Sequence, residues 1–489
     1  MTKSHEPQKK PETALSGGSW TVVSRVFVQL AQFTILIFAA RMMSPEEFGL
    51  FAFVAAFIVI LNQLATAGWP EYIMQCEDDV YRLRGTLLVA MLSGGAVVIL
   101  GVVISLFAHV ATDAPDATRV GLVLAFSVFF SSTGAAYGGV LNHQNKLTAS
   151  ALSVMIGEAV NLVVAIWALY AGHGVLALAY GRLANSFTWC LSAAVASRLS
   201  PVRQIPLSLV GEMAQFSKHI IATRILVNLR IYAATFVIAG FMGAAAVGYF
   251  RAGQRIVSAF EEIVGEPTRV LAWNLFRKVR NRETQGDGFD GFSQVFFRIQ
   301  LYAATPIFVG VAVLAPILVD ALLGADWAPA APVVQILALA SLIRIPGHAT
   351  VPIMSLSGKT ELLPRLILIY SVISISCVTI GARFGLVTTA LAEVVAAIMV
   401  FIISAVVMRR QLNINWARIL FQSWRIFPAL LAALALPLLV QHTGVMQHMS
   451  PLARFLLLCL CILLVYIPVL LILDRNLNGS IRGALARRR

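Results

Sequence analysis

The sequence predicts an all-α polytopic membrane protein with about 14 transmembrane helices, two pseudo-repeated six-helix lobes followed by two C-terminal helices. Three observations predict it. The 489 residues are 59% hydrophobic and only 12% charged, against about 25% charged in a soluble globular protein. Apolar runs near the roughly 20 residues needed to cross a bilayer recur from end to end. Finally, the chain repeats itself. Residues 223–250 lie over residues 24–51 at a constant offset of 199 with no gap, so that Ser24-Arg25 becomes Thr223-Arg224, Gln29 becomes Asn228, and Gly49-Leu50-Phe51 becomes Gly248-Tyr249-Phe250.

The elements follow in order. Residues 1–18 form a polar tail of mixed charge, and the run after them is too long for a signal-peptide core, so it reads as a retained span. Spans 1–6 of the first lobe (19–197) fall near 19–41, 48–68, 85–108, 118–141, 149–171 and 174–197. A polar linker, 198–216, leads into the second lobe (217–408), with spans 7–12 near 217–240, 244–266, 294–319, 331–355, 364–382 and 385–408. Spans 13 and 14, near 425–441 and 452–473 within 409–473, lie outside the doubled region and read as plain apolar, peripheral helices. A basic tail, 474–489, ends the chain, and its arginines suit anionic lipid.

Charge tests this count, because cytoplasmic loops hold the excess of Lys and Arg. With the N-terminus inside, 24 of the 37 basic residues fall on the cytoplasmic side and four (Arg41, Arg119, Arg383, Arg454) on the other. Both termini are then cytoplasmic in a multi-pass protein. The net charge of +14 is spread over short loops, which argues against nucleic acid as a partner. Loops this short also leave no room for a catalytic subdomain. The five cysteines are scattered with no metal-ligand or disulfide spacing, and the sequence contains no P-loop or nucleophile elbow. No enzyme, cofactor or metal is expected, and no catalytic residue is assigned.

Nine arginines remain, at membrane depth or its edge. Arg269 and Arg298 sit at helix ends, where they can snorkel. Arg182, Arg230, Arg251, Arg255 and Arg344 lie near mid-helix, and at about 3 kcal/mol each they would cost on the order of 15 kcal/mol facing lipid. They must face protein or a water-filled cavity. Arg251 and Arg255 share a helix face at i, i+4, as do Arg25 with Gln29 and Arg224 with Asn228. Planar guanidinium forks flanked by amides suit phosphate oxygens. Any single arginine is as well explained by a structural ion pair; the set points to an anion-receptive cavity. Glu158 and Glu393, each inside an apolar helix, are candidates either for ion coupling or for pairing with a nearby arginine.

Three segments carry a resemblance. AARMMSPEEFGLFAF (39–53), GGVLNHQNKLTASALS (138–153) and LLGADWAPAAPVVQILALASL (322–342) resemble landmarks of the bacterial polysaccharide transporter family. That family lies within the MOP superfamily, alongside oligosaccharide flippases and MATE drug exporters. The resemblance covers residues 15–410. It implies two six-helix lobes around a central cavity, and a flippase or exporter for a polyprenyl-diphosphate-linked oligosaccharide. The arginines would hold the diphosphate, and alternating access would come from rocking of the lobes. Partners would be the lipid-linked oligosaccharide, membrane lipids, and a polysaccharide polymerase or other export components serving exopolysaccharide, capsule or O-antigen synthesis. Relatives often carry an acidic residue early in span 7, where this chain has Ala234; a cation-coupling role there does not transfer. Two alternatives stay open: a drug/cation antiporter of the same superfamily, and a polytopic glycosyltransferase or polymerase.

Overall fold

The computed structural model describes residues 14–76, 79–112, 115–280, 289–442 and 449–474. Among these residues the chain is helical, with no strand. The helices are α1 (Ala14–Met42), α2 (Pro45–Thr66), α3 (Trp69–Gln75), α4 (Val80–Thr112), α5 (Pro115–His143), α6 (Leu147–Tyr170), α7 (Val175–Ser197) and α8 (Leu207–Arg280). They continue with α9 (Phe289–Leu322), α10 (Ala330–Arg344), α11 (Thr350–Leu356), α12 (Leu362–Ala382), α13 (Leu386–Leu412), α14 (Trp416–Gln422), α15 (Ile426–His442) and α16 (Pro451–Leu473).

Among the described residues, eleven helices are long and apolar enough to cross a membrane, or twelve if the bent pair α14–α15 makes one span. The expected 14 exceed this for two physical reasons. The long helix α8 counts once, although it covers both span 7 and span 8. Helix α7 is long enough to span, but Arg182, Asn185, Ser186 and Thr188 crowd its middle and reduce its hydropathy.

The repeat survives as geometry. Ser44 caps α2, its Oγ accepting from Glu47 N at 3.2 Å while Glu47 Oε2 accepts from Ser44 N at 2.9 Å. One offset of 199 later stands Gly243, where the backbone leaves the helix at φ 82°, a conformation that glycine adopts without a Cβ penalty. Both halves therefore break between their first two spans at the same register, by different means.

The chain divides into two compact units, Met1–Thr235 and Phe236–Arg489. In the first, α5 packs on α4 and α7, and α7 on α6. Its core gathers Trp69, Tyr72, Leu83, Leu87, Tyr137, Leu209 and Met213, so the opening turns of α8 belong to this unit. In the second, Phe276, Phe296, Phe297, Ile353 and Trp416 form a core that ties α8, α9, α11 and α14 together. Helix α16 packs on α9, and Tyr466 donates from its hydroxyl to Tyr302 O at 3.1 Å.

Candidate functional site

Glu158 sits in the middle of α6, about 140–180° around the helix from the exposed Ile156, Val163 and Trp167. Its side chain therefore points to the packed side, and the residue is 3% exposed. Oε1 accepts from Asn161 Nδ2 at 3.0 Å, and Oε2 accepts from Asn185 Nδ2, on α7, at 2.6 Å. The two helices meet closely here. A Cβ at Gly181 would lie 2.6 Å from Asn161 Oδ1, so only glycine fits. Among the described residues no arginine or lysine pairs with Glu158. Two neutral amides thus hold a buried carboxyl group that the sequence left open as either a coupling site or an ion-pair partner, and the ion-pair reading has no cation to support it.

Arg182 lies one turn from this cluster on α7. It is about 140–220° around the helix from Phe187, Leu191 and Val195, the apolar residues that α7 exposes. The surrounding positions on its own face, Leu178, Ser186 and Ala193, are buried. Arg182 is nonetheless exposed, and among the described residues it pairs with no carboxylate. A guanidinium on the packed side of a helix, yet open to solvent, has the character of a cavity-lining group.

The other expected residues of the first unit are placed differently. Arg25 is exposed and Gln29 half-buried, sharing one side of α1. Arg224 on α8 forms an ion pair with Glu71 on α3, and Asn228 turns back to donate to Arg224 O at 2.8 Å. A second set of polar contacts also joins α3 and α4 to α8. Arg82 Nη1 reaches Glu212 Oε1 at 2.8 Å, and the Tyr72 hydroxyl donates to the same oxygen at 3.0 Å. Glu71 escaped the sequence reading because span 2 closes near 68 and leaves it in a loop. The chain instead turns left-handed at Ala67 and starts a further short helix, α3, at Trp69.

In the second unit, Arg344 closes α10. Its Nη1 donates to Glu393 Oε2 on α13 at 3.1 Å, and its Nε lies 3.7 Å from Glu261 Oε1 on α8. The alternative left open for Glu393, a partner for a nearby arginine, is what the geometry displays. Arg251 Nη1 donates to Gln254 Oε1 at 2.6 Å on its own helix; Arg255 and Arg230 are half-buried.

One expectation is corrected. Arg298, read as a snorkelling helix end, donates to Asp474 Oδ2 at 2.5 Å with its side chain 18% exposed. Spans 13 and 14 are fastened through the same carboxylate. Asp474 is fully buried at the end of α16, and its Oδ1 lies 2.9 Å from Arg425 Nη1, just before α15. The Tyr302 hydroxyl completes the set at 2.8 Å. No periodic signal joins residues 298, 425 and 474, so the sequence had no means of pairing them. No group of three or more metal-ligating side chains occurs among the described residues.

Comparison with known proteins adds to this geometry. A family model described as polysaccharide biosynthesis protein matches residues 38–335. The succinoglycan biosynthesis transport protein ExoT of Rhizobium meliloti (strain 1021) is 23% identical over 444 residues, 90% of this chain and 89% of that protein. The lipid II flippase MurJ, solved in an inward closed conformation, superposes with a TM-score of 0.76 at 17% identity, over 95% of this chain and 100% of its own. An inward-facing multidrug resistance MATE family transporter of the MOP superfamily gives a TM-score of 0.60 at 15% identity, covering 80% of this chain and 98% of its own. At such identities these likenesses establish the fold, which this chain shares with these two transporters.

Proposed function

The chain belongs to the polysaccharide biosynthesis protein family, and on that premise we propose that it is a flippase or exporter. Its substrate is a polyprenyl-diphosphate-linked oligosaccharide, moved across the bacterial inner membrane for exopolysaccharide, capsule or O-antigen synthesis. One observation carries the reading. Arg182 stands on the packed side of α7, open to solvent and paired with no carboxylate among the described residues. A cation held at membrane depth on those terms is suited to an anionic substrate group. The diphosphate supplies that group, while the prenyl chain stays in lipid and the sugars cross beside the amides. In the proposal Arg25, Gln29 and Arg230 of the first unit, and separately Arg251 and Arg255 of the second, serve the same anionic group, whereas Arg224, Asn228 and Arg344 serve first as structural contacts.

Glu158 is the stronger candidate for ion coupling, since its partners are neutral amides; Glu393 is compensated by Arg344. Alternating access of the lobes would deliver the substrate to the far leaflet, where a polysaccharide polymerase would use it. The transport itself breaks no covalent bond.

Deletion followed by mass spectrometry of polyprenyl-linked glycans tests the proposal. The expected result is accumulation of a lipid-linked repeat unit together with loss of the exported polymer. Normal export, with no accumulated intermediate, would overturn it.

A further inference from the structure

The apolar segment Ala330–Leu356 is long enough to span a membrane, yet it is not one continuous α-helix. Between α10 and α11 the chain tightens into a 3₁₀ turn, Ile345–Ala349, where Pro346 has no N–H to continue the α-helical ladder. A side chain from another helix fills the gap. Gln300 of α9, only 5% exposed, donates from Nε2 to Ile345 O at 2.8 Å. Its Oε1 is buried with no hydrogen-bond partner among the described residues. Irregular backbone at membrane depth persists where protein buries it or where it lines a cavity.

His348 lies in this turn, half-buried. Its ring rests on the backbone of Gly265 in α8, where an added Cβ would stand 2.6 Å from Cε1 and 2.8 Å from Nε2. Neither ring nitrogen has a hydrogen-bond partner among the described residues. Charged groups surround it. Helix α8 brings Glu261, one turn before Gly265, and the Glu266–Arg269 pair, 2.7 Å apart, just after it. Glu262, beside Glu261, has interactions of its own. Helix α10 brings Arg344, whose guanidinium is shared by Glu261 and, on α13, by Glu393. Helix α11 has no charged residue, and on α9 the charge beside Gln300, Arg298, is taken by Asp474. The Glu266–Arg269 pair is balanced. Glu261 and Glu393 have one arginine between them, so one negative charge is left over. A single proton would neutralise it, and an imidazole is the side chain that exchanges one near neutral pH.

We propose that His348 is a proton-binding site, and that its proton sets the pairing of Arg344 and with it the geometry of the turn. Protonated, the imidazole is a cation with two N–H donors, one turn of α8 away from Glu261. It then competes with Arg344 for that carboxylate. Arg344 holds Glu261 at 3.7 Å and Glu393 at 3.1 Å, so the contact with Glu261 is the one that yields. Arg344 turns wholly to Glu393, and the 3₁₀ turn that begins beside it follows. The site is separate from Glu158, which belongs to the first unit, and it does not depend on which substrate is carried.

Hydrogen–deuterium exchange with mass spectrometry, on the full-length protein in detergent, tests both parts. Exchange at the imidazole C2–H reports protonation of His348, which should titrate between about pH 5 and 8. Over the same range, amide exchange across residues 341–356, corrected for the intrinsic rate, should change by about threefold or more. Glu261→Gln removes the anion that favours the imidazolium, so it should weaken proton binding at His348 by about threefold or more. His348→Gln should make amide exchange across the turn independent of pH, and His348→Asn replaces it if the Gln variant does not reach the membrane. An imidazole that does not titrate in this range would overturn the proposal. So would equal proton binding in wild type and Glu261→Gln, or pH-dependent exchange of the turn that survives removal of the imidazole.

Discussion

Two sets of charged residues, one in each unit, are held in opposite ways. In the second, Arg344 meets Glu393 and Glu261, and Asp474 meets Arg298 and Arg425. In the first, Glu158 meets two asparagine amides, and Arg182 has no carboxylate among the described residues. The second arrangement fastens helices that lie far apart in sequence. The first leaves a cation and a carboxyl group without mutual neutralisation, which is expensive in a membrane and persists where a ligand supplies the missing charge. Compensated charge reads as architecture, and uncompensated charge as function.

The largest effect that would break this contrast lies at Asp474. Asp474→Ala leaves two arginines in a buried site without their counter-charge, a loss of about 3–5 kcal/mol. Folded abundance and detergent melting temperature should both fall sharply. Normal abundance would show that this carboxylate does not fasten α16. Arg344→Gln comes next. It strands Glu393 and should destabilise by about 3 kcal/mol, while adding Glu393→Gln should recover most of the loss. A double variant no better than the single would separate the pair.

Much of this was legible in the sequence. The apolar runs located the helices and the interruption between spans 7 and 8, because runs and their ends are local signals. The alternative written for Glu393, an arginine partner, also followed from charge in an apolar helix. What the sequence hid were partners across distance. Glu71 sits on a short helix that the span boundaries leave as loop, and Asp474 finds Arg298 across 176 residues. Side-chain direction was hidden as well. Arg182 and Arg344 look alike as single arginines in apolar helices, and only packing shows that one is compensated and the other is not.

Smaller effects sharpen the comparison within the first unit. The Arg224–Glu71 pair is partly exposed, so Glu71→Gln or Arg224→Gln should cost about 1 kcal/mol at most. The swap Glu71→Arg with Arg224→Glu should restore abundance. If either single variant leaves abundance normal but abolishes export, Arg224 belongs to the substrate surface instead. Glu158→Gln keeps hydrogen-bonding capacity toward Asn161 and Asn185, so abundance should stay near wild type. Export should then lose its dependence on an ion gradient, measured in energised vesicles; unchanged dependence would remove Glu158 from coupling.

The most direct test of the central claim is export per folded transporter for Arg182→Ala, Arg182→Gln and Arg182→Lys. Because Arg182 pairs with no carboxylate among the described residues, none of the three should lower membrane abundance. Export should fall about tenfold or more in the Ala and Gln variants, equivalent to about 1.4 kcal/mol of lost interaction. Lys should recover part of it, since it restores charge but not the bidentate fork. Full export by Arg182→Ala at normal abundance would contradict the account.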